Sequence, residues 1–342
     1  MSRTLVISDM HIGARAHGSV LQRPGPLELL LEAIRGCDRL VLLGDTVELV
    51  EARPSRALDV AEPILRAIGA AVGSSRELVL VPGNHDHGLV RSWALAQGPA
   101  LGVDSLVPVD SNPVLPQIVS WLAPARVEVR YPGVWLTDTV WATHGHYLDR
   151  HLIPAEAYGL IRGRRSQRAG GGRACDYERL LRPQLGRAMR WLPRLLAAGF
   201  DDLGELIRAS TMPRVARRNL HHRLAPLTSR VLGLQMRRHS LPAIARVARG
   251  LGVDAETVIF GHVHRLGPLA TDDVTRWCGP DGTPRLLNTG SWRYEGMLLH
   301  RARPPHPYWP GGAIVLEDGA EPRAIGLLDR LAPDELHPPQ VG

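Results

Sequence analysis

Short apolar runs alternate with amphipathic stretches along the first part of the chain. Runs of four or five apolar residues bounded by turn residues are typical of buried strands, whereas longer stretches with apolar residues every three or four positions are typical of helices. The pattern predicts strands at residues 4–7, 40–43 and 78–81 and helices at residues 27–35 and 58–72. This alternation predicts βαβ units around a largely buried sheet.

The apolar pattern changes twice further along the chain. Short strands are predicted in two later groups, at residues 126–131, 134–137, 140–143, 257–260, 285–287, 313–316 and 324–328. Between the groups the strand-like runs disappear, and helical patterns remain at residues 178–190 and 241–248. We therefore expect a mixed sheet and an inserted helical cap.

The predicted division is a core of residues 1–150 and 251–330, a cap of residues 151–250 and a tail of residues 331–342. With 44% hydrophobic and 22% charged residues, the composition is that of a folded globular protein and excludes a fibrous or wholly disordered chain. The cap contains 20 Arg against six Asp and Glu, a net charge of +14, whereas the remainder has 21 against 28, or −7. An acidic ligand or membrane surface would explain this excess, and solvated helix faces are the alternative.

The cysteines and the apolar runs indicate the compartment. Cys37, Cys175 and Cys278 are too few and too far apart for a disulfide framework. The first residues lead directly into a strand without the pattern of a signal peptide, and no apolar run reaches the roughly 18 residues of a membrane span. We expect a cytoplasmic protein. The basic cap adds the further expectation of peripheral contact at the inner membrane face.

Five of the predicted strands end in segments rich in Asp, His and Asn. The candidate residues in these segments are Asp9, His11, Asp45, Asn84, His85, His144, His146, His262 and His264. Ligands gather at the carboxyl ends of strands in open α/β sheets, and turn chemistry alone does not require histidine there. Mixed carboxylate, amide and imidazole ligands suit Mn²⁺, Fe or Zn²⁺ better than Ca²⁺ or Cu.

Three other features have two interpretations each. A histidine outside these positions, such as His87, is interpreted as structural. His146 follows His144 by two residues, and the sequence is compatible with either a structural role or a place in the wall of the site. The turn at residues 288–292 has two interpretations: an ordinary loop, or a loop that presents backbone groups to the site.

The order of the motifs, Asp-x-His, Gly-Asp-x-x-Glu, Gly-Asn-His-Asp, His-Gly and Gly-His-x-His, resembles the calcineurin-like metallophosphoesterase family. The resemblance covers residues 1–150 and 251–300 and implies a four-layer αββα sandwich. It also implies ligands for two ions: Asp9, His11 and His264 for one, Asn84, His144 and His262 for the other, and Asp45 as the bridge. His85 would act on the phosphate.

The expected chemistry is metal-dependent phosphoester hydrolysis. Two ions about 3.5–4 Å apart can hold a bridging hydroxide as nucleophile and stabilise charge on the phosphate. We favour Mn²⁺, with Fe and Zn²⁺ as alternatives. His85 would stabilise the transition state or protonate the leaving group, Asp86 would orient His85, and Glu48 would support a ligand.

The substrate is predicted from the cap. A helical insertion at this place is similar to the layout of UDP-2,3-diacylglucosamine hydrolase-like members, which implies a phosphodiester or pyrophosphate bond in a nucleotide-sugar-like or lipid-linked substrate. Arg162, Arg164 and Arg165, with His146, are the candidate substrate-binding residues. A metal-dependent nuclease and a non-catalytic binding scaffold are the alternatives. The sequence predicts no oligomeric state.

Overall fold

The computed structural model describes most of the chain outside the interval from residue 153 to residue 235. The described residues are 2–14, 19–51, 53–152, 172–180, 236–296, 298–299 and 302–336. Most of the predicted cap, and residues 337–342 of the predicted tail, lie outside them.

Eleven strands lie in the described residues. They are β1 (Arg3–Ile7), β2 (Arg39–Leu43), β3 (Glu77–Val81), β4 (Ser105–Leu106), β5 (Arg126–Tyr131), β6 (Gly133–Trp135), β7 (Val140–Thr143), β8 (Thr257–Phe260), β9 (Arg285–Asn288), β10 (Gly312–Glu317) and β11 (Arg323–Gly326). The ten predicted strands are all confirmed to within two residues at each end, and β4 is additional. β6 ends before the predicted residue 137 because Thr137 turns the chain: its Oγ1 accepts hydrogen bonds from the N–H groups of Thr139 and Val140.

Eight α-helices lie in the same part of the chain. They are α1 (Pro24–Arg35), α2 (Pro54–Val72), α3 (Arg91–Gln97), α4 (Leu115–Trp121), α5 (Asp149–Leu152), α6 (Ala174–Leu180), α7 (Leu241–Gly250) and α8 (Pro333–Leu336), with a π-helical turn, Met236–Ser240, before α7. Both α1 and α2 begin at a proline, whose fixed φ suits the first helical position. The predicted helix at residues 178–190 begins earlier, at Ala174, and the part after residue 180 lies outside the described residues.

The strands form two mixed sheets. The larger has the order β11-β10-β1-β2-β3-β5-β4, and the smaller has the order β6-β7-β8-β9. β1, β2, β3 and β5 are parallel, as are β7, β8 and β9, whereas β4, β6, β10 and β11 pair antiparallel to their neighbours.

The two sheets pack face to face between layers of helices. Alternate strand residues point to opposite faces, so Val6 and Val41 of the larger sheet enclose one core with Ala142 and Ile259 of the smaller sheet. The intervening residues belong to a second core that includes the buried faces of α1, α2 and α7. The described residues therefore form four layers in the order helix, sheet, sheet, helix.

Candidate metal centre

The reactive side chains lie in five loops, each directly after a strand. Asp9 and His11 follow β1, Asp45 follows β2, and Asn84 and His85 follow β3. Because β1, β2 and β3 are parallel neighbours, these three loops leave the larger sheet at one edge. The topology thus brings together residues that are up to 76 positions apart in the sequence.

The smaller sheet contributes the other two loops. His144 follows β7, while His262 and His264 follow β8, its parallel neighbour. The backbone N–H of His262 donates a hydrogen bond of 3.0 Å to Asp9 Oδ2, so a loop of each sheet meets here. Gly261 permits this approach, because a Cβ at that position would overlap the side chains of Ser8 and Asp9. The site therefore lies between the two sheets.

The backbone is left-handed at five of the predicted ligands. The non-glycine residues with positive φ among those described are Asp9 (53°), His11 (43°), Asp45 (51°), His262 (69°) and His264 (54°). Such a conformation costs on the order of 1–3 kcal/mol per residue and persists only where the surroundings enforce it. Within the described residues, non-glycine positive φ values occur only at these positions, which marks the centre as a candidate functional site.

Asp9, His11 and His264 form the first cluster of potential ligands. Nε2 of His264 lies 3.1 Å from Asp9 Oδ1 and 3.2 Å from Nε2 of His11. All three residues are buried, and their ligand atoms lie within 4.8 Å of one another.

Asn84, His144 and His262 form the second cluster. Oδ1 of Asn84 lies 3.0 Å from Nε2 of His144 and 3.0 Å from Nδ1 of His262. Asp45 lies between the clusters, because its Oδ2 is 3.2 Å from Nε2 of His144 and 3.6 Å from Nε2 of His11. One carboxylate thus contacts both sets of ligand atoms.

Each of the four imidazoles has a partner outside the clusters. The outer contacts are His11 Nδ1 to Glu48 at 3.0 Å, His144 Nδ1 to Leu43 O at 3.0 Å, His262 Nε2 to Asp149 at 2.8 Å and His264 Nδ1 to Glu295 at 3.2 Å. All four partners are oxygen acceptors, so each outer nitrogen carries the proton. The inner nitrogen of each neutral ring then presents a lone pair to the cluster.

The directions of these lone pairs show whether the residues present fit metal ions. The inner nitrogens face one another, the oxygens of Asp45 and Asn84, and Asp9 Oδ1. That oxygen is buried and accepts no hydrogen bond within the part of the chain that the structure describes. Converging lone pairs repel unless a cation or proton lies among them. The donor set therefore fits divalent cations.

The pKa values reflect these contacts. Burial, reinforced by the Arg293 guanidinium, lowers the pKa of His11 to about 4. Burial also acts to lower the pKa of His144, but the Asp45 and Asp9 carboxylates outweigh it and raise that pKa to about 9. Burial raises the pKa of Asp45, yet the nearby His144 and His85 hold it well below its usual range. Without metal, a proton on His144 takes the place of a cation.

Glu48 orients His85. Its Oε2 lies 2.7 Å from His85 Nδ1, and the same carboxylate accepts the hydrogen bond from His11, as predicted for Glu48. The role expected of Asp86 is corrected: its oxygens accept hydrogen bonds from backbone N–H groups, including Gly83 at 2.6 Å and Thr46 at 2.8 Å. Asp86 therefore fixes the loops after β2 and β3 in place rather than the His85 ring.

The outer partners Asp149 and Glu295 were not predicted. Asp149 lies 113 residues before His262, and Glu295 lies 31 residues after His264, so neither has a spacing signal. The 288–292 turn contacts Asp9 O through a backbone group and a side chain: Trp292 N–H donates at 3.0 Å and Ser291 Oγ donates at 3.2 Å. It supports the loop after β1.

The candidate substrate-binding residues divide into two groups. His146 is buried beside the centre, with its ring centroid 5.6 Å from that of His144. Arg162, Arg164 and Arg165 lie outside the described residues. Within the described residues, no helix is both long and apolar enough to cross a membrane.

Comparison with known proteins agrees with this geometry. The model of the calcineurin-like phosphoesterase family matches residues 2–266 of the 342. The chain belongs to the calcineurin-like phosphoesterase family, and the expected αββα sandwich is confirmed. Membership supports metal-dependent phosphoester hydrolysis, for which the His and Asp clusters offer candidate ligands. No curated protein matches the chain.

Proposed function

We propose that the chain hydrolyses a phosphodiester or pyrophosphate bond with two divalent metal ions. The observation that carries this proposal is the position of Asp45 Oδ2, which lies 3.2 Å from His144 Nε2 in one cluster and 3.6 Å from His11 Nε2 in the other. A carboxylate between two convergent sets of lone pairs is suited to bridging two cations.

The proposed ligands follow the two clusters. Asp9, His11 and His264 would hold one ion, Asn84, His144 and His262 the other, and Asp45 would bridge them. When bound, the ions would supply Lewis-acid stabilisation of the phosphoryl oxygens and lower the pKa of a nucleophilic water. We favour Mn²⁺, with Fe and Zn²⁺ as alternatives, because the donors combine carboxylate, amide and imidazole groups.

His85 is proposed as the residue that handles the leaving group. Glu48 accepts the Nδ1 hydrogen bond at 2.7 Å, and we assign proton exchange with the substrate to the other ring nitrogen, Nε2. The side chain of His85 is 12% exposed, whereas that of His11 is fully buried. A partly accessible imidazole held by a carboxylate is suited to general acid catalysis.

The proposed substrate is anionic, with a nucleotide-sugar-like or lipid-linked structure such as those of UDP-2,3-diacylglucosamine hydrolase-like enzymes. The support is the net charge of +14 in residues 151–250. Arg162, Arg164 and Arg165 are proposed to bind its charged groups, and His146 is proposed to line the pocket. The same charge supports peripheral contact with an anionic membrane surface, for which the inner membrane face of a cytoplasmic protein is proposed.

The test is a substrate screen of the full-length chain, stripped of metal and reloaded separately with Mn²⁺, Fe²⁺, Co²⁺, Ni²⁺ or Zn²⁺. The panel contains phosphomonoesters, bis-p-nitrophenyl phosphate, UDP-sugars, dinucleotides and nucleic acids. We expect chelator-sensitive turnover of phosphodiesters or pyrophosphates, and a higher KM when Arg162, Arg164 and Arg165 are all changed to Gln. An unchanged KM for every anionic substrate would contradict the role of the arginines.

Two outcomes would favour other functions. Preferential digestion of nucleic acid that weakens steeply with salt would indicate a nuclease. No turnover with any of the five metals would indicate a binding scaffold.

A further inference from the structure

A second buried polar cluster lies next to the proposed metal centre. Glu178 of α6 is 2% exposed although it belongs to the Arg-rich insertion. Its Oε1 accepts hydrogen bonds of 2.5 Å from the hydroxyls of both Tyr131 and Tyr147, and its Oε2 lies 2.9 Å from Nε2 of His87. The proposed metal centre does not use any of these four residues.

The donors in this cluster can be assigned by counting protons. Burial and then the neighbouring Tyr147 raise the pKa of Tyr131 well above the usual value, and burial and then Glu178 do the same for Tyr147. Both hydroxyls therefore keep their protons. Burial acts to raise the pKa of Glu178, but its hydrogen bonds from His87 and the tyrosines lower it. An ionised carboxylate has no proton to give, so each tyrosine donates its single proton to Glu178.

The assignment determines the tautomer of His146. Nε2 of His146 lies 3.2 Å from the hydroxyl oxygen of Tyr131, whose proton is already directed at Glu178. The His146 nitrogen must therefore be the donor, with its proton on Nε2. Nδ1 then carries a lone pair, and it is buried with no hydrogen-bond partner among the described residues.

We propose that Glu178 is a positioning residue that acts through Tyr131 to hold His146 as the Nε2–H tautomer, so that Nδ1 is a hydrogen-bond acceptor beside His144. The fitting ligand is a donor group, such as a substrate hydroxyl or a water. The inference deepens the proposed function, since it assigns an acceptor at the wall of that site. It also gives the insertion a direct part in the site, because Glu178 reaches it from α6.

The chain contains a matched pair of variants for the test. Tyr131→Phe and Tyr147→Phe each remove one hydroxyl that donates to the same oxygen of Glu178 at the same distance of 2.5 Å. Tyr131 is the one whose hydroxyl contacts His146 through a hydrogen bond, whereas Tyr147 packs edge-on against the ring. A purely structural cluster would respond to both variants alike.

The measurement is the pair of ¹⁵N resonances of His146 in the full-length chain, recorded without metal and with diamagnetic Zn²⁺, and assigned by comparison with His146→Gln. In the unmodified protein we expect the proton on Nε2 and an unprotonated Nδ1. In Tyr131→Phe we expect the Nδ1–H form to increase, because Nε2–H has lost its acceptor. In Glu178→Ala we expect the same change, because the Tyr131 hydroxyl no longer donates to Glu178 and can donate to Nε2. Tyr147→Phe should leave the tautomer unchanged.

Two results would overturn the proposal: a proton on Nδ1 in the unmodified protein, or equal changes in the two phenylalanine variants. The first needs no variant and is therefore independent of any folding defect. Because the resonances do not depend on turnover, they also separate this proposal from failure of the proposed function. A chain that hydrolyses no substrate can still show the expected tautomer, and an active chain can lack it.

Discussion

The carboxylate of Glu48 lies 2.7 Å from Nδ1 of His85 and so orients the imidazole proposed to act on the leaving group. It also accepts a hydrogen bond of 3.0 Å from Nδ1 of His11, a proposed metal ligand. One buried carboxylate therefore contacts both the proposed proton donor and a proposed metal ligand.

Glu48→Gln should weaken both functions, because an amide offers one acceptor and one donor where two imidazoles each need an acceptor. We expect metal affinity to fall by about 10–100-fold, the usual effect of losing an outer partner, together with a fall in kcat. Isothermal titration calorimetry and steady-state kinetics test this. Glu62→Gln, on the exposed face of α2, is the control. Unchanged metal affinity would contradict the connection.

His85→Ala and Asp45→Asn should separate catalysis from metal binding. His85→Ala should retain two ions and lose about 10²–10⁴-fold in kcat, the usual contribution of a general acid. Asp45→Asn should lose metal as well, because the amide has one oxygen and no charge. Metal analysis after dialysis, with kinetics on the same samples, distinguishes the two. Loss of both ions from His85→Ala would refute its assignment.

Asp149→Asn and Glu295→Gln should affect different ions. Asp149 is bound to His262 of the second cluster at 2.8 Å, and Glu295 is bound to His264 of the first at 3.2 Å. Each change weakens the acceptor that fixes one ring, so we expect one of two calorimetric binding steps to weaken in each variant. The same step weakening in both would show that the clusters do not bind separate ions.

Gly83→Ala should damage the site through the backbone. A Cβ at Gly83 would overlap Oδ1 of Asp45 and lie 2.6 Å from Cδ2 of His144. We expect lower metal occupancy and a loss of stability of about 1–3 kcal/mol, typical of overpacking. Gly88→Ala, in the same loop region, is the matched control, because nothing lies within 4 Å of a Cβ added at that position. Equal effects in thermal unfolding would contradict the steric argument.

Metal binding should release a proton from His144. Its pKa, raised to about 9 by the Asp45 and Asp9 carboxylates against the effect of burial, keeps the ring charged at neutral pH without metal. Because the pKa of His144 in the fold exceeds its ordinary value of 6.5, the protonated ring stabilises the metal-free fold. This contribution is fully present below pH 6.5 and is lost as the pH rises through about 9.

A ligand nitrogen must be deprotonated, so at about pH 7 we expect release of about one proton per chain. The buffer dependence of the calorimetric heat measures this release, and His144→Asn should abolish it. Equal heats in buffers of different ionisation enthalpy would contradict the prediction.

Sequence predicted the strands well, and the candidate ligand residues do follow them, because both patterns are local signals. The apolar runs of β1, β2 and β3 are bounded by turn residues, and the polar residues follow at once. The short helices α3 and α4 were missed, since seven residues contain too few turns to show a period and α4 has a proline in its first turn.

Side-chain pairing could not be read in the same way. Adjacency in the sequence suggested Asp86 as the partner of His85, yet Asp86 satisfies backbone N–H groups, and Glu48, 37 residues away, takes the role. The contacts of Asp149 and Glu178 likewise depend on how distant segments pack. Such partners are fixed by tertiary structure, which spacing does not encode.

Each cluster combines residues from both sides of the predicted insertion: Asp9 and His11 with His264, and Asn84 and His144 with His262. A nascent chain that has not yet emerged beyond β8 would lack one proposed ligand of each ion, so the proposed hydrolysis would require the loop after β8. Two fragments divided within the insertion would have to reassociate through the interface between the sheets to recover activity. Recovery by such fragments would report directly on docking of the sheets.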